Sequence, residues 1–211
     1  MEAMKRLEDM TSRENDASAT GAAETVAYFH LKIIHDPDAA AKSFHRVVTL
    51  DPQNETAWDM LTICWGMADN DEQSKTVSKQ RLKHKESAHN HFMLAKAYER
   101  SNQLEQAEEE VRGALKLEPH DFLANLSLAC LLLKRADNSK LLAEAKRYLD
   151  NAQAQSEHSS PAEKSDYAAA RGLYFVLTGN TEEGKRQFQQ SLKFDPENDQ
   201  ATRALEILKD D

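Results

Sequence analysis

Apolar residues return along this chain every three or four positions, the spacing that lines one face of a helix. No stretch sustains the period-two alternation of β-branched residues that marks a strand. The pattern therefore predicts helices throughout. Three predicted helices close on one signature (apolar, any residue, apolar, acid, Pro), at Val48 to Pro52, Leu115 to Pro119 and Leu192 to Pro196. Pro119 follows Pro52 by 67 residues and Pro196 follows Pro119 by 77, close to two periods of about 34 residues each time, the second with nine residues to spare. A repeated helix pair is expected, with one further pair inside each gap.

The clearest pair runs from Ala88 to about Asp121, with Leu94, Ala95 and Tyr98 on a first helix, Ala107, Val111 and Ala114 on a second, and Pro119 after it. The same offsets recur at Ala27, Tyr28, Leu31, Ala40, Phe44, Val47 and Pro52, and again at Gly172, Phe175, Gly184, Phe188, Ser191 and Pro196. The intervening pairs are irregular. One shows Trp58, Leu61, Thr62 and Trp65 before a weak second helix; the other shows Leu128, Ala129 and Leu132, then Ala145, Leu149 and Ala152 after a longer turn.

Short polar side chains that can accept the unsatisfied N–H groups of a helix start fall where these pairs need them. Asp36 precedes Pro37, Asn102 precedes Glu105, Ser160 precedes Pro161 and Glu163, and Asn180 precedes Glu183. Asn198 opens a last helix with Ala201, Ala204, Leu205 and Leu208 on one stripe and charge opposite, as the end of a repeat array requires. Before Ala22, Met4, Leu7 and Met10 suggest one short helix, and residues 11–20 read as a linker. The expected organisation is a flexible segment 1–20 and a helical-repeat domain 21–211, with units near 21–53, 54–87, 88–121, 122–164 and 165–197 and a cap helix at 198–209.

These residues resemble the tetratricopeptide repeat, whose pattern has Trp, Leu, Gly and Tyr on the first helix and Ala, Phe, Ala and Pro on the second; His91 stands in the Trp place and Ala95 in the Gly place. The resemblance implies an all-α fold, a right-handed α-solenoid of about five helix hairpins with a C-terminal capping helix. It also implies a concave groove lined by the first helices. Here that lining would be Phe29, Ile33, Ile63, Met67, Phe92 and Lys96, then Leu126, Cys130, Leu133, Leu173, Val176 and Leu177. The lining is mostly apolar, and an exposed apolar face usually marks an interaction site. It would suit a peptide or amphipathic helix of a partner protein; alternatively, the N-terminal segment with Met4, Leu7 and Met10 or the degenerate repeats fill the groove, or the register is off by one residue and the same positions belong to the core. The family's carboxylate-clamp subclass grips acidic C-termini with Lys, Asn and Arg. This chain instead has Thr25, Phe29, Met60, His89, Phe92 and Met93 near those places and does not look like a clamp.

A net charge of −9 works against binding along a phosphate backbone, so nucleic acid is not an expected partner. No apolar run is long enough for a membrane span. Cys64 and Cys130 sit in apolar patterns without metal-ligand spacing and read as reduced thiols of a cytoplasmic protein; a periplasmic or anchored setting applies if the chain is a fragment. No catalytic residues, metal site or cofactor are legible: there is no phosphate-binding glycine loop, nucleophile elbow or HExxH, and six glycines leave little to shape a ligand turn. His89 and His91 point about 200° apart on a helix and cannot share a metal easily. The basic run Lys75, Lys79, Arg81, Lys83 and Lys85 and the acidic group Glu105, Glu108, Glu109 and Glu110 read as solvated, dipole-matched faces, the basic run alternatively as a patch that docks an acidic partner. The leading expectation is a non-enzymatic protein-binding scaffold or adaptor. Rivals are a regulatory or substrate-presenting domain of a larger enzyme, and a self-associating homo-oligomer.

Overall fold

The computed structural model describes residues 17–155 and 159–209. It contains eleven α-helices among them and no strand. The expected short helix with Met4, Leu7 and Met10 lies outside the described residues. The chain divides into two compact units, Met1–Ala107 and Glu108–Asp211, each taken by itself below.

The first unit holds α1 (Ala17–Phe29), which runs into a π-helical turn (His30–Ile34), then α2 (Pro37–Leu50), α3 (Glu55–Met67), α4 (Asp71–His84) and α5 (Ala88–Arg100). Helix α1 begins at Ala17, so the last residues of the expected linker are helical. Alanines at Ala23, Ala27, Ala40 and Ala41 bring α1 and α2 together around Phe44 and Val47, which are fully buried, and Tyr28 meets Phe44 edge-on at 5.2 Å. Trp58, Leu61, Cys64 and Trp65 of α3 and Val77 of α4 extend the same core.

Helix α4 is the weakest in sequence because Ser74, Ser78 and Arg81 occupy the Ala, Phe and Ala places of the repeat. Ser74 is small enough for close approach and donates to the Thr62 carbonyl at 3.1 Å. The basic run is only in part the solvated face expected of it, with Lys79, Lys83 and Lys85 exposed. Lys75 and Arg81 are buried. Lys75 donates to Glu72 at 2.6 Å and to Gln103 at 2.8 Å, and Arg81 pairs with Asp59. Lys79 lies over the Tyr98 ring at 5.2 Å, and Lys85 pairs with Glu55. Long basic side chains can bury their stems while their heads find partners, so a run of charge need not be a wet face.

One turn recurs in three hairpins. The second residue after each first helix takes the left-handed conformation, at Asp69 (φ 54), Asn102 (φ 55) and Gly179 (φ 84). The next N–H returns to the carbonyl of the aromatic residue of that helix, from Asn70 to Trp65 at 2.9 Å, Gln103 to Tyr98 at 2.9 Å and Asn180 to Phe175 at 2.8 Å. These are Schellman-type closures of orphan carbonyls. They correct one expected cap: Asn102 is the left-handed turn residue, and Gln103 occupies the place that Asn70 and Asn180 hold as N-caps. The other three expected caps form, Ser160 with Glu163 as a complete capping box.

The second unit comprises most of α6 (Leu104–Leu117), then α7 (Phe122–Lys134), α8 (Ser139–Gln155), α9 (Pro161–Leu177), α10 (Thr181–Phe194) and α11 (Asp199–Ile207). Gly172 and Gly184 set the closest approach in it. A Cβ at Gly172 would stand 2.7 Å from the Phe188 ring, and one at Gly184 would stand 2.6 Å from a Val176 methyl and 3.1 Å from the Gly172 carbonyl oxygen. Helix α11 is fastened by a buried polar cluster: Asn198 caps it through Ala201, and its amide donates to Ser165 Oγ at 3.0 Å, which itself bonds the Ser191 carbonyl. Glu108 is also not plainly solvated. It accepts from Arg112 at 2.7 Å and from Arg135, while Arg112 reaches Glu144 at 2.9 Å.

Candidate functional site

In the first unit, the first helices of the pairs carry large apolar side chains that the core does not use. Ile33 is 64% exposed and Ile34 52%, in the π-helical turn, and on α3 Ile63 is 41% and Met67 58% exposed. Ile63 and Met67 are four residues apart and so share one face of α3. Phe29 and Phe92 are half-buried; Phe29 meets the His30 ring edge-on, and Lys96 stands 5.8 Å over the Phe92 ring while pairing with Glu99 at 3.2 Å. Asn54 donates to Glu24 at 2.9 Å and so ties the start of α3 to α1. Ile34 was not among the expected lining residues. A π turn adds a residue to the helical repeat and turns out a side chain that a 3.6-residue count places elsewhere.

The second unit keeps less of the expected lining. Leu126 and Leu133 are 6% and 3% exposed and belong to the core. The reason is the composition of α7: with apolar or small residues nearly all round, the helix is buried on more than one side, and no single stripe faces out. Val176 is half-buried, its methyl packing where a Gly184 side chain would be, on α10. Leu173 is half-buried against the cluster of Ala169, Phe188 and Ala201. Cys130 is half-buried, and Leu177 is exposed.

Ionisable groups near these helices have structural partners. Asp59 receives Arg81 and, at 2.8 Å, His89. Burial pushes its carboxyl up, but the hydrogen bonds from His89 and Arg81 and their charges outweigh this and hold it below the usual carboxylate range. His84 packs against Trp58 at 6.1 Å, and His91 lies 3.6 Å from Glu86. Among the described residues no three His, Cys, Asp or Glu side chains gather as a metal site. Burial pushes the Cys64 thiol up to about 11, which keeps it protonated and unreactive at neutral pH. No helix among the described residues is long and apolar enough to cross a membrane.

Comparison with known proteins agrees with the repeat geometry. Residues 88–121 match the tetratricopeptide repeat family, and the chain has the fold of tetratricopeptide-repeat proteins. It is similar to YrrB, described as a TPR protein with an unusual peptide-binding site, at 17% identity and a TM-score of 0.60 over 96% of both chains. It is also similar to a thermophilic TPR protein of Thermus thermophilus, at 18% identity and a TM-score of 0.66 over 90% of this chain and 100% of that one. PilW, a type IV pilus biogenesis factor, matches at 16% identity and a TM-score of 0.67 over 97% of this chain and 90% of that one. No curated protein matches the sequence.

Proposed function

We propose that this chain is a protein-binding scaffold that holds an apolar stripe of a partner peptide or helix on the first-helix face of its first unit. The observation that carries the reading is the outward exposure of Ile33, Ile34, Ile63 and Met67, where the other large apolar residues of these helices are buried or half-buried. Four such side chains in water are a standing cost that a partner's apolar face would remove, at about 25 cal/mol per Å² covered. The helices beneath are fixed by Phe44, Trp58 and Leu61, so the face is formed before a partner arrives and little ordering cost falls on this side of the complex. A peptide-binding site in YrrB, which shares the fold, supports the same use here.

Ile63→Glu with Met67→Glu tests it. Both side chains are exposed, so helicity and thermal unfolding should stay close to wild type while partner recovery from native extract disappears. Equal recovery of every protein by the two forms would sink the assignment to this face.

A further inference from the structure

The second unit carries a cleft of about 670 Å³ lined from α8, α9 and α10, within the size range of small-ligand sites. It is not the first-helix face already described: around α9, Arg171 in the cleft points about 200° from Leu173. Its cations are Lys164, Arg171, Arg186 and Lys193, against one acid, Glu183, so the lining is three charges positive (four less one) in a chain of net charge −9.

The acid is already committed. Glu183 accepts from Gln187 at 2.9 Å and from Arg186 at 3.3 Å, and these bonds, helped by the charge of Arg171, hold its carboxyl below the usual range. The Arg171 guanidinium is placed by aromatic rings instead, 5.9 Å from Tyr167 and 5.6 Å from Phe175. Ring faces orient a cation without neutralising it. Lys164 and Lys193 form no ion pair among the described residues. The cleft therefore holds positive charge that the protein itself does not spend.

The lining also carries the amides of Gln189 and Gln190, each with a donor and an acceptor, and of Gln153, whose oxygen accepts from Tyr167 at 3.2 Å, with the apolar ring of Phe194 beside them. A peptide backbone needs donors and acceptors together, which a phosphate chain does not. The overall negative charge also opposes a long polyanion tracking away from the cleft.

We propose that this cleft is a second docking site, for a short acidic segment of a partner protein, its carboxylates on Lys164, Arg171 and Lys193 and an apolar side chain on Phe194. The site is independent of the first-helix face, and the test separates them. Anisotropy of a fluorescein-labelled peptide alternating Glu with Leu would be titrated with the full chain, beside a peptide alternating Lys with Leu and a labelled oligothymidine. The acidic peptide should bind, weaken with salt, and bind about tenfold more weakly to Lys164→Glu with Lys193→Glu. Ile63→Glu with Met67→Glu should leave it unchanged. If the charge reversals lower helicity, the same loss in smaller measure is expected of Lys164→Gln with Lys193→Gln. No binding of the acidic peptide, equal binding by the cleft variants, or tighter binding of oligothymidine would overturn the proposal.

Discussion

One substitution, glycine to alanine, should have opposite signs at two helical positions. Gly21 lies within α1 and a Cβ there meets nothing within 4 Å. Alanine at this position gains only helix propensity, about 0.5–1 kcal/mol. Gly172 lies within α9, and a Cβ there would stand 2.7 Å from two carbons of the Phe188 ring and 2.9 Å from a third. Ordinary carbon contacts are about 3.5–4.0 Å, so the ring must retreat by about 1 Å. Phe188 is fully buried among Ala169, Ala201 and Leu208 and has little room to do so. Overpacking of this kind costs about 1–3 kcal/mol. Set against the propensity gain, Gly172→Ala should destabilise by about 1–2 kcal/mol.

For a chain of this size 1 kcal/mol moves the thermal midpoint by about 2–4 °C, so circular dichroism should show Gly21→Ala melting higher than wild type and Gly172→Ala several degrees lower. A second arm ties the effect to the ring. Phe188→Leu alone leaves a cavity, but in the Gly172→Ala background the methyl fills part of it, so the pair should be less destabilised than the sum of the singles by about 1 kcal/mol. If Gly172→Ala raises the midpoint as Gly21→Ala does, or if the two changes at 172 and 188 simply add, the helices do not meet at this glycine and the packing account of the second unit is wrong.

Other outcomes follow from the same contacts. Asp59→Ala leaves Arg81 buried without its carboxylate and should cost about 3 kcal/mol in urea unfolding. Because the folded carboxyl of Asp59 lies below its unfolded value of about 4, its contribution is fully present above that value and lost as pH falls through the lower folded one. The difference between wild type and Asp59→Ala should therefore shrink as pH falls below about 4; a gap that persists in acid would count against the pair. Asn198→Ala removes the cap of α11 and its bond to Ser165, for a loss of about 1–2 kcal/mol by the same assay. Leu126→Glu should unfold the second unit, costing more than about 3 kcal/mol, because it places an unpaired carboxylate in the core. Cys64 should resist a thiol reagent at neutral pH until denaturant is added, and prompt labelling of the native protein at this residue would contradict its burial.

The sequence was readable where a position is defined by size or by a local cap. The Ala, Phe and Val places of α2 gave its register, and Asp36, Ser160 and Asn180 gave helix starts, because close packing and a single hydrogen bond each admit few residue types. It was misleading where a position is defined by a partner distant in sequence. Arg81 and Lys75 read as wet because nothing local announces Asp59 or Gln103 across the helices. Leu126 and Leu133 read as lining because a helix apolar on most sides has no phase from which to tell inside from outside. Ile34 was missed because the count that placed Ile33 assumes an uninterrupted α-helix.

The degenerate repeats show what the geometry demands in place of a consensus. At the Trp place of the repeat, Trp58 donates its indole N–H to the Pro52 carbonyl at 3.0 Å, and in the fourth pair Asn125 donates to the Pro119 carbonyl at the same distance. What is kept is a side-chain donor to the carbonyl of the proline in the turn before the helix. Asn125 fills less space than an indole, and its oxygen accepts from Asn151 of α8 at 3.2 Å, which recruits the neighbouring helix in place of ring contact. The small place follows the same rule, with Ala107, Ser74 and Gly184 all admitted because each allows a close crossing. A repeat chain can thus lose its signature residue by residue while each replacement preserves one contact.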